Sequence, residues 1–430
     1  MKYFGTDGIR GVPNKKLTIE LAAKLGMALQ ALGCQNVVIA TDTRISKDML
    51  AYAIASGAMS RGMNVYFAGV MPTPALIYTS LVRNITGVMI TASHNPYTDN
   101  GIKVLNKGVK LTDEEEYLIE DLIDNPKEYE GPLGKLVFED SIKNQYCDFL
   151  LKKIKRTNLK ICIDCAHGAT STTAPFVFSK VTNNLVVTAA SPDGYNINNG
   201  VGSTHLDYLK NQVLDNKCDL GFAFDGDGDR VLVVDEKGNT IDGDMIIYLL
   251  ARYLKQNGKL NDNKVVLSIM SNLGLISDLN KNGIEVVETP VGDKYVVRAL
   301  KQYNLSIGGE NSGHIILPDE LPTGDGVLVA ILVTKLLEET NTRISDWIKD
   351  VVMYSDKMIN IKVENKQKVL ENKYLFERIE QIKEELNNDC KIIVRPSGTE
   401  ELVRVSVMAQ TKELVDKYID ELVDMVKGEM

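Results

Sequence analysis

Short apolar runs alternate with stretches of helical spacing along this chain, and the alternation recurs in one order. Residues 37–40 form an apolar run of strand length, and residues 51–61 follow with helical periodicity. Runs at 65–67 and 88–90 complete the unit, which ends in a polar loop at Ser93. The order returns at 160–164 with a helix at 172–178, a strand at 185–187, and a strand at 220–224 that leads into Asp225. It returns once more with strands at 265–269, 285–287 and 305–307, a helix at 274–281, and a polar loop at 308–314. Strands alternating with helices predict a mainly parallel sheet in each copy. Ligands gather at the carboxyl ends of strands in such sheets, so the three polar loops are expected to face one shared cleft.

The last segment has a different order. Strands at 358–363, 391–394 and 402–408 and charged amphipathic helices at 374–386 and 412–426 predict a small α+β domain. The fold class expected is α/β: three similar mixed α/β domains with mainly parallel sheets, plus a C-terminal α+β domain, around a central cleft. The boundaries follow as 1–152, 153–250, 251–353 and 354–430.

Bulk properties narrow the partners. At 430 residues the chain exceeds a single hydrophobic core, and 44% hydrophobic with 25% charged residues describes a globular protein. A net charge of −9 without a Lys/Arg stripe argues against nucleic acid, although a few cations focused in one cleft still suit phosphates. No apolar run approaches the roughly 20 residues that span a bilayer, and the first residues do not resemble a leader, so no membrane is expected. The six cysteines are scattered. Cys162 and Cys165 share an expected strand, 159–165, and point to opposite faces, which reads as buried small hydrophobes in a reducing cytoplasm.

Chemistry concentrates in the loops. Ser93 and His94 end an apolar strand; Pro96 stops regular pairing, and a tight turn at Asn100-Gly101 is expected to return Lys103 towards the hydroxyl. Such a serine either caps the strand, acts as a nucleophile or carries a covalent group. Asp225, Asp227 and Asp229 alternate with glycines, and three converging carboxylates need a cation; oxygen ligands suit Mg²⁺ or Ca²⁺. An EF-hand is excluded, because Arg230 stands where that loop requires glycine and a strand follows at 231–234. A phosphorylated Ser93 would fill a position that Mg²⁺ leaves open.

Arg395-Pro-Ser-Gly-Thr399 reads as a phosphate cradle, with the guanidinium of Arg395 and the hydroxyls of Ser397 and Thr399 around Gly398, or as a plain turn. Glu310, Ser312 and His314 suit adjacent sugar hydroxyls. Arg10 adds a cation in a glycine-rich N-terminal loop that otherwise reads as flexible, and Lys294 could contact phosphate or sugar.

In order, Thr91-Ala-Ser-His-Asn-Pro96, Asp225-Gly-Asp-Gly-Asp-Arg230, Gly309-Glu-Asn-Ser-Gly-His314 and Arg395-Pro-Ser-Gly-Thr399 resemble the four functional loops of the α-D-phosphohexomutases, over the whole chain. The N-terminal Phe4-Gly-Thr-Asp-Gly-Ile-Arg-Gly11, Gly194-Tyr-Asn-Ile-Asn198 and Gly202-Ser-Thr-His205 look more like its glucosamine-phosphate branch than its phosphoglucomutase/phosphomannomutase branch. Lys294 where Arg is usual, and Asn311 where Gln is usual, depart from the pattern in the region that grips the sugar.

The resemblance implies an isomerase that moves phosphate between O6 and O1 of glucosamine phosphate for cell-wall amino-sugar synthesis. Ser93 would carry the phosphoryl group beside Mg²⁺ held by Asp225, Asp227 and Asp229. Arg10, Lys103 and Arg230 would disperse charge, with Lys103 or His94 as general base. Lys294, Glu310, Ser312, His314 and the cradle would bind substrate, and glucosamine or glucose 1,6-bisphosphate would prime Ser93. The partner implied is a hexosamine phosphate, with room for a homodimer. The alternatives are a phosphoglucomutase/phosphomannomutase, a metal-dependent sugar-phosphate phosphatase and a non-catalytic sugar-phosphate binder.

Overall fold

The computed structural model describes residues 2–5, 7–363, 365–396 and 402–427, in two compact units: residues 1–268 with 289–348, and residues 269–288 with 349–430. The first unit holds three sheets. In the first, Asn36–Thr41 lies at the centre, parallel to Thr86–Ile90 on one side and Asn64–Val70 on the other. Leu136–Phe138 extends one edge in parallel. At the other edge Asn100–Asn106 runs antiparallel to Thr86–Ile90, and Ile9–Gly11 is antiparallel to it in turn. Thr86–Ile90 is buried at every residue, as expected of a strand covered on both faces.

The second sheet has the order Thr240–Ile241, Val231–Asp235, Leu220–Phe224, Ile161–Asp164, Leu185–Thr188, the last three mutually parallel. In the third, Lys264–Ser268 is parallel to Gly308–Gly309, and Ile315–Leu317 and Leu321–Gly324 follow antiparallel. One design therefore recurs three times. A parallel strand ends in a polar loop, and the chain returns antiparallel beside it: Thr86–Ile90 to Asn100–Asn106, Leu220–Phe224 to Val231–Asp235, Gly308–Gly309 to Ile315–Leu317. The three sheets are mixed because the loops that carry chemistry are hairpin loops.

Two local expectations change. Asn100-Gly101 is not a turn; it opens a strand, with the Asn100 side chain accepting from the Gly101 N–H at 2.8 Å, and the chain reverses within residues 93–99. The run at 305–307 is not a strand either, since pairing begins at Gly308, opposite Val266. All six cysteines are free and buried. The N-terminal loop is anchored: Glu120 accepts from the backbone N–H groups of Lys2, Tyr3 and Phe4 at 2.8, 2.7 and 2.9 Å.

The second unit contains a three-stranded antiparallel sheet, Ser355–Lys362, Leu402–Ala409 and Cys390–Pro396, with Leu402–Ala409 in the middle. Helices Lys373–Glu385 and Lys412–Lys427 close its core around Leu375, Ile379, Val405 and Ile419. Asn272 joins helix Leu273–Lys281 to this unit by bonding both the carbonyl and the N–H of Tyr354 at 2.9 Å. No helix among the described residues is long and apolar enough to cross a membrane.

Candidate active site

Ser93 follows the buried strand Thr86–Ile90 and adopts the left-handed conformation, φ 51°, which a side chain with a Cβ rarely takes. Its N–H donates to the Thr91 hydroxyl at 2.9 Å, and its own hydroxyl, almost wholly buried, donates to Asp225 Oδ2 at 2.6 Å. His94 Nδ1 lies 3.3 Å from the same hydroxyl. Burial, followed by the positive charges of Arg230 and Arg10, lowers the His94 pKa and favours the neutral ring.

Asp225, Asp227 and Asp229 leave the strand Leu220–Phe224 together, all buried, with ligand oxygens within 4.8 Å of one another. Gly226 must lack a side chain, because a Cβ there would stand 2.4 Å from the Ser93 carbonyl oxygen. Burial and then the charges of Asp229 and Asp227 push the Asp225 carboxyl well above the usual range. Burial acts on Asp229 too, but Lys103, His314 and Arg230 outweigh it and hold that carboxyl below the usual range. Among the described residues, Asp227 Oδ1 and Asp229 Oδ1 are buried without a hydrogen-bond partner. Three crowded carboxylates with two orphaned oxygens fit a hard divalent cation.

Cations ring this cluster. Lys103 Nζ reaches Asp227 at 3.0 Å, Asp7 at 3.1 Å and Asp229 at 3.5 Å. Burial opposes its charge, yet those three carboxylates hold it protonated. Arg230 donates its N–H to Asp225 at 3.2 Å and its Nε lies 3.8 Å from Asp229. Arg10 pairs with Asp7 at 2.7 Å, and His314 Nδ1 approaches Asp229 to 3.7 Å. A cavity of about 490 Å³ opens beside them, with Lys103, Asp229, Lys294 and His314 on its polar wall and Ile77 and Met89 on its apolar one. That volume suits a small ligand.

The remaining predicted residues are placed less centrally. Glu310 accepts from the Gly292 N–H at 2.9 Å, which ties its loop to the start of helix Asp293–Gln302; Ser312 is half-buried on the same loop. Lys294 is exposed, its Nζ 5.2 Å from the ring centre of Tyr295. Arg395 belongs to the second unit, directly opposite Arg404 in the strand pairing, and Arg404 Nε is buried without a partner among the described residues. Ser397, Gly398 and Thr399 lie outside the described residues.

Several residues that build the site escaped the sequence reading. Thr73 fixes the acid loop by donating its hydroxyl to Asp227 Oδ2 at 2.6 Å and its N–H to the Asp227 carbonyl at 2.8 Å. Lys110 bridges Asp7 at 3.0 Å and Asp293 at 2.5 Å. Arg44, wholly buried, pairs with Asp42 at 2.8 Å and donates to the carbonyls of Ser93, Asn95, Pro96 and Asp99. Asp42 and Arg44 follow the carboxyl end of Asn36–Thr41, and that position was the signal available for them.

Comparison with known proteins identifies the family. The four models of the phosphoglucomutase/phosphomannomutase family match in order: α/β/α domain I at residues 1–130, domain II at 137–238, domain III at 242–354 and the C-terminal domain at 358–425. The fold is also that of the crystal structure of a phosphoglucomutase/phosphomannomutase family protein from Burkholderia thailandensis (TM-score 0.84, 23% identity, 99% of this chain and 97% of that one). A further match is Aspergillus fumigatus N-acetylphosphoglucosamine mutase in complex with GlcNAc-6P and magnesium (TM-score 0.69, 16% identity, 99% and 96% covered). Fold and site thus define an α-D-phosphohexomutase, an isomerase. The phosphoglucosamine mutase of Bacillus licheniformis is 45% identical, with 100% of this chain and 99% of the relative covered. The chain belongs to the phosphoglucosamine mutase family.

Proposed function

We propose that the chain interconverts glucosamine 6-phosphate and glucosamine 1-phosphate, with Ser93 as the phosphoryl carrier. The observation that carries this reading is the buried Ser93 hydroxyl held 2.6 Å from Asp225 at the edge of the acid cluster. A phosphoryl group on that oxygen would stand between three carboxylates and the cations Arg230, Arg10 and Lys103. Asp225, Asp227 and Asp229, with one phosphoryl oxygen, would hold Mg²⁺, which supplies neutralising charge for the transferring group.

The chemistry is two transfers of opposite sense. A sugar hydroxyl attacks the phosphorus, its proton passes to a base, and the bond to Ser93 Oγ breaks to leave a 1,6-bisphosphate. After the sugar turns around, Ser93 Oγ takes the other phosphoryl group and the proton balance is restored. His94 suits the base, being neutral and 3.3 Å from Ser93 Oγ, whereas Lys103 is held as a cation and suits charge dispersal. Glu310, Ser312, His314 and Lys294 grip the sugar, and Arg395, Ser397, Gly398 and Thr399 bind the phosphate that is not reacting. A glucosamine or glucose 1,6-bisphosphate primes an unphosphorylated Ser93.

Turnover of glucosamine, glucose and mannose 6-phosphates tests the assignment. The glucosamine ester is expected to give the highest kcat/KM. Preference for glucose or mannose would move the chain to the phosphoglucomutase/phosphomannomutase branch, and net phosphate release without isomerisation would make it a phosphatase.

A further inference from the structure

We infer that Asn198, contributed by the second α/β domain, is a positioning residue of phosphoryl transfer; this rests on the reading of Ser93 as the carrier. Asn198 Nδ2 donates to the Ser93 carbonyl at 2.9 Å and to the Asn95 carbonyl at 3.1 Å. Two carbonyl acceptors require the amide nitrogen on that side. Arg44 Nη2, from the first domain, donates to the same two oxygens at 2.9 and 2.8 Å. The backbone on both sides of His94 is therefore gripped from two domains at once.

The grip answers a specific need. Ser93 sits in a left-handed conformation that a side chain disfavours, so an unsupported loop would relax away from it. Arg44 also bonds the Pro96 and Asp99 carbonyls and so holds the loop to its own domain. Among the described residues, Asn198 is the side chain that ties it to the domain carrying the acid cluster through these carbonyls. Gly226 of the acid loop packs against both partners: a Cβ there would meet the Ser93 carbonyl oxygen at 2.4 Å and Asn198 Nδ2 at 2.8 Å. Asn198 is itself buried and left-handed, φ 58°, with its N–H bonded to the Ala166 carbonyl at 2.9 Å. Its loop is docked a second time where Ile45 N–H donates to the Gly194 carbonyl at 2.9 Å. Asn198 thus sets the distance between the Ser93 hydroxyl and the carboxylates it must serve.

Asn198→Gly removes the amide and keeps the left-handed backbone, and Asn198→Asp keeps the size but replaces the donor by an acceptor facing two carbonyls. Both variants are expected to lower kcat by roughly tenfold or more, since a displacement near 1 Å at a reacting centre costs about that much or more. KM for glucosamine 6-phosphate should stay within about twofold, and the unfolding temperature of Asn198→Gly should fall by only a few degrees for its two lost hydrogen bonds, leaving the protein folded under assay conditions. Intact mass after incubation with glucose 1,6-bisphosphate should show slower gain of one phosphoryl group. Wild-type kcat in the variants would overturn the inference, as would a loss that only tracks a lowered unfolding temperature. Should Asn198→Gly not fold, Asn198→Asp carries the same comparison. A wild-type protein that takes no phosphoryl group on Ser93 would instead overturn the carrier reading; a wild type that does, beside an Asn198→Gly variant equally fast, would remove only the role of Asn198.

Discussion

Ser93 and Asp225, 132 residues apart in the chain, meet through a single hydrogen bond of 2.6 Å from hydroxyl to carboxylate. The two residues end strands of different sheets, and each loop is shaped by the other domain: Gly226 lies against the Ser93 carbonyl, and Thr73 holds Asp227. Ser93→Ala is expected to abolish the phosphoryl adduct in intact-mass spectra and to cut turnover by about a thousandfold or more. The fold should lose only about 1 kcal/mol, the worth of one hydrogen bond. An active Ser93→Ala enzyme would remove the covalent route.

Metal removal follows from the two orphaned carboxylate oxygens. Chelation should abolish turnover, and Mg²⁺ should restore it. Mg²⁺ at a hundred times its Kd should also stabilise the fold by about 2.7 kcal/mol, seen as a rise in unfolding temperature that Asp227→Asn diminishes. Full activity in chelator would exclude a metal role.

Arg395 faces Arg404 across its strand pair, and burial followed by the Arg404 charge lowers its pKa. Two adjacent guanidinium groups favour an anion between them. Arg395→Ala should raise KM for the sugar phosphate by roughly tenfold or more while Ser93 still accepts a phosphoryl group, because bonds to a charged group are worth about 1.5–3 kcal/mol. An unchanged KM would remove Arg395 from phosphate binding.

Arg44 is buried with its Asp42 partner, both at 0% exposure, so removing one strands the other. Arg44→Met should cost about 3–5 kcal/mol in urea unfolding, far more than loss of an exposed pair would. A cost below 1 kcal/mol would mean that the carbonyl contacts contribute little.

Asp325 caps helix Gly326–Thr340 and accepts the Tyr146 hydroxyl, and burial raises its pKa to about 7. The folded state then binds a proton more tightly than the unfolded chain, so this residue's contribution to stability is full below about pH 4 and declines as pH rises towards 7. Asp325→Asn keeps the cap and cannot ionise. It should flatten the fall in unfolding temperature between pH 5 and pH 8, by the equivalent of a few kcal/mol at most. An unchanged pH profile would show that Asp325 titrates normally.

The apolar strands were legible because burial on both faces demands continuous hydrophobic runs, and Thr86–Ile90 and Leu220–Phe224 lie where those runs predict. Asn100–Asn106 was not, because Asn-Gly is the usual sign of a turn; here the Asn100 side chain bonds Ser46 and its own successor inside a strand. Gly308–Gly309 was missed because two glycines carry no hydrophobic signal, and their strand is defined by its pairing with Val266 on one side and Ile315–Leu317 on the other. The acid trio stood out by composition alone. Asn198 lay in a noticed motif, but nothing local revealed that its amide would clamp Ser93.

By itself the sequence determined which groups are available and where each lies on its own element: a serine, three aspartates and a histidine at strand ends, since period and turn chemistry are local. The tertiary structure alone decided which of them touch, which carboxyls are pushed up and which held down, and that Ser93 would be left-handed under two clamps. Those outcomes depend on desolvation and on contacts between residues far apart in the chain, 49 positions for Arg44 and Ser93 and 132 for Ser93 and Asp225, which arise only once the sheets have packed.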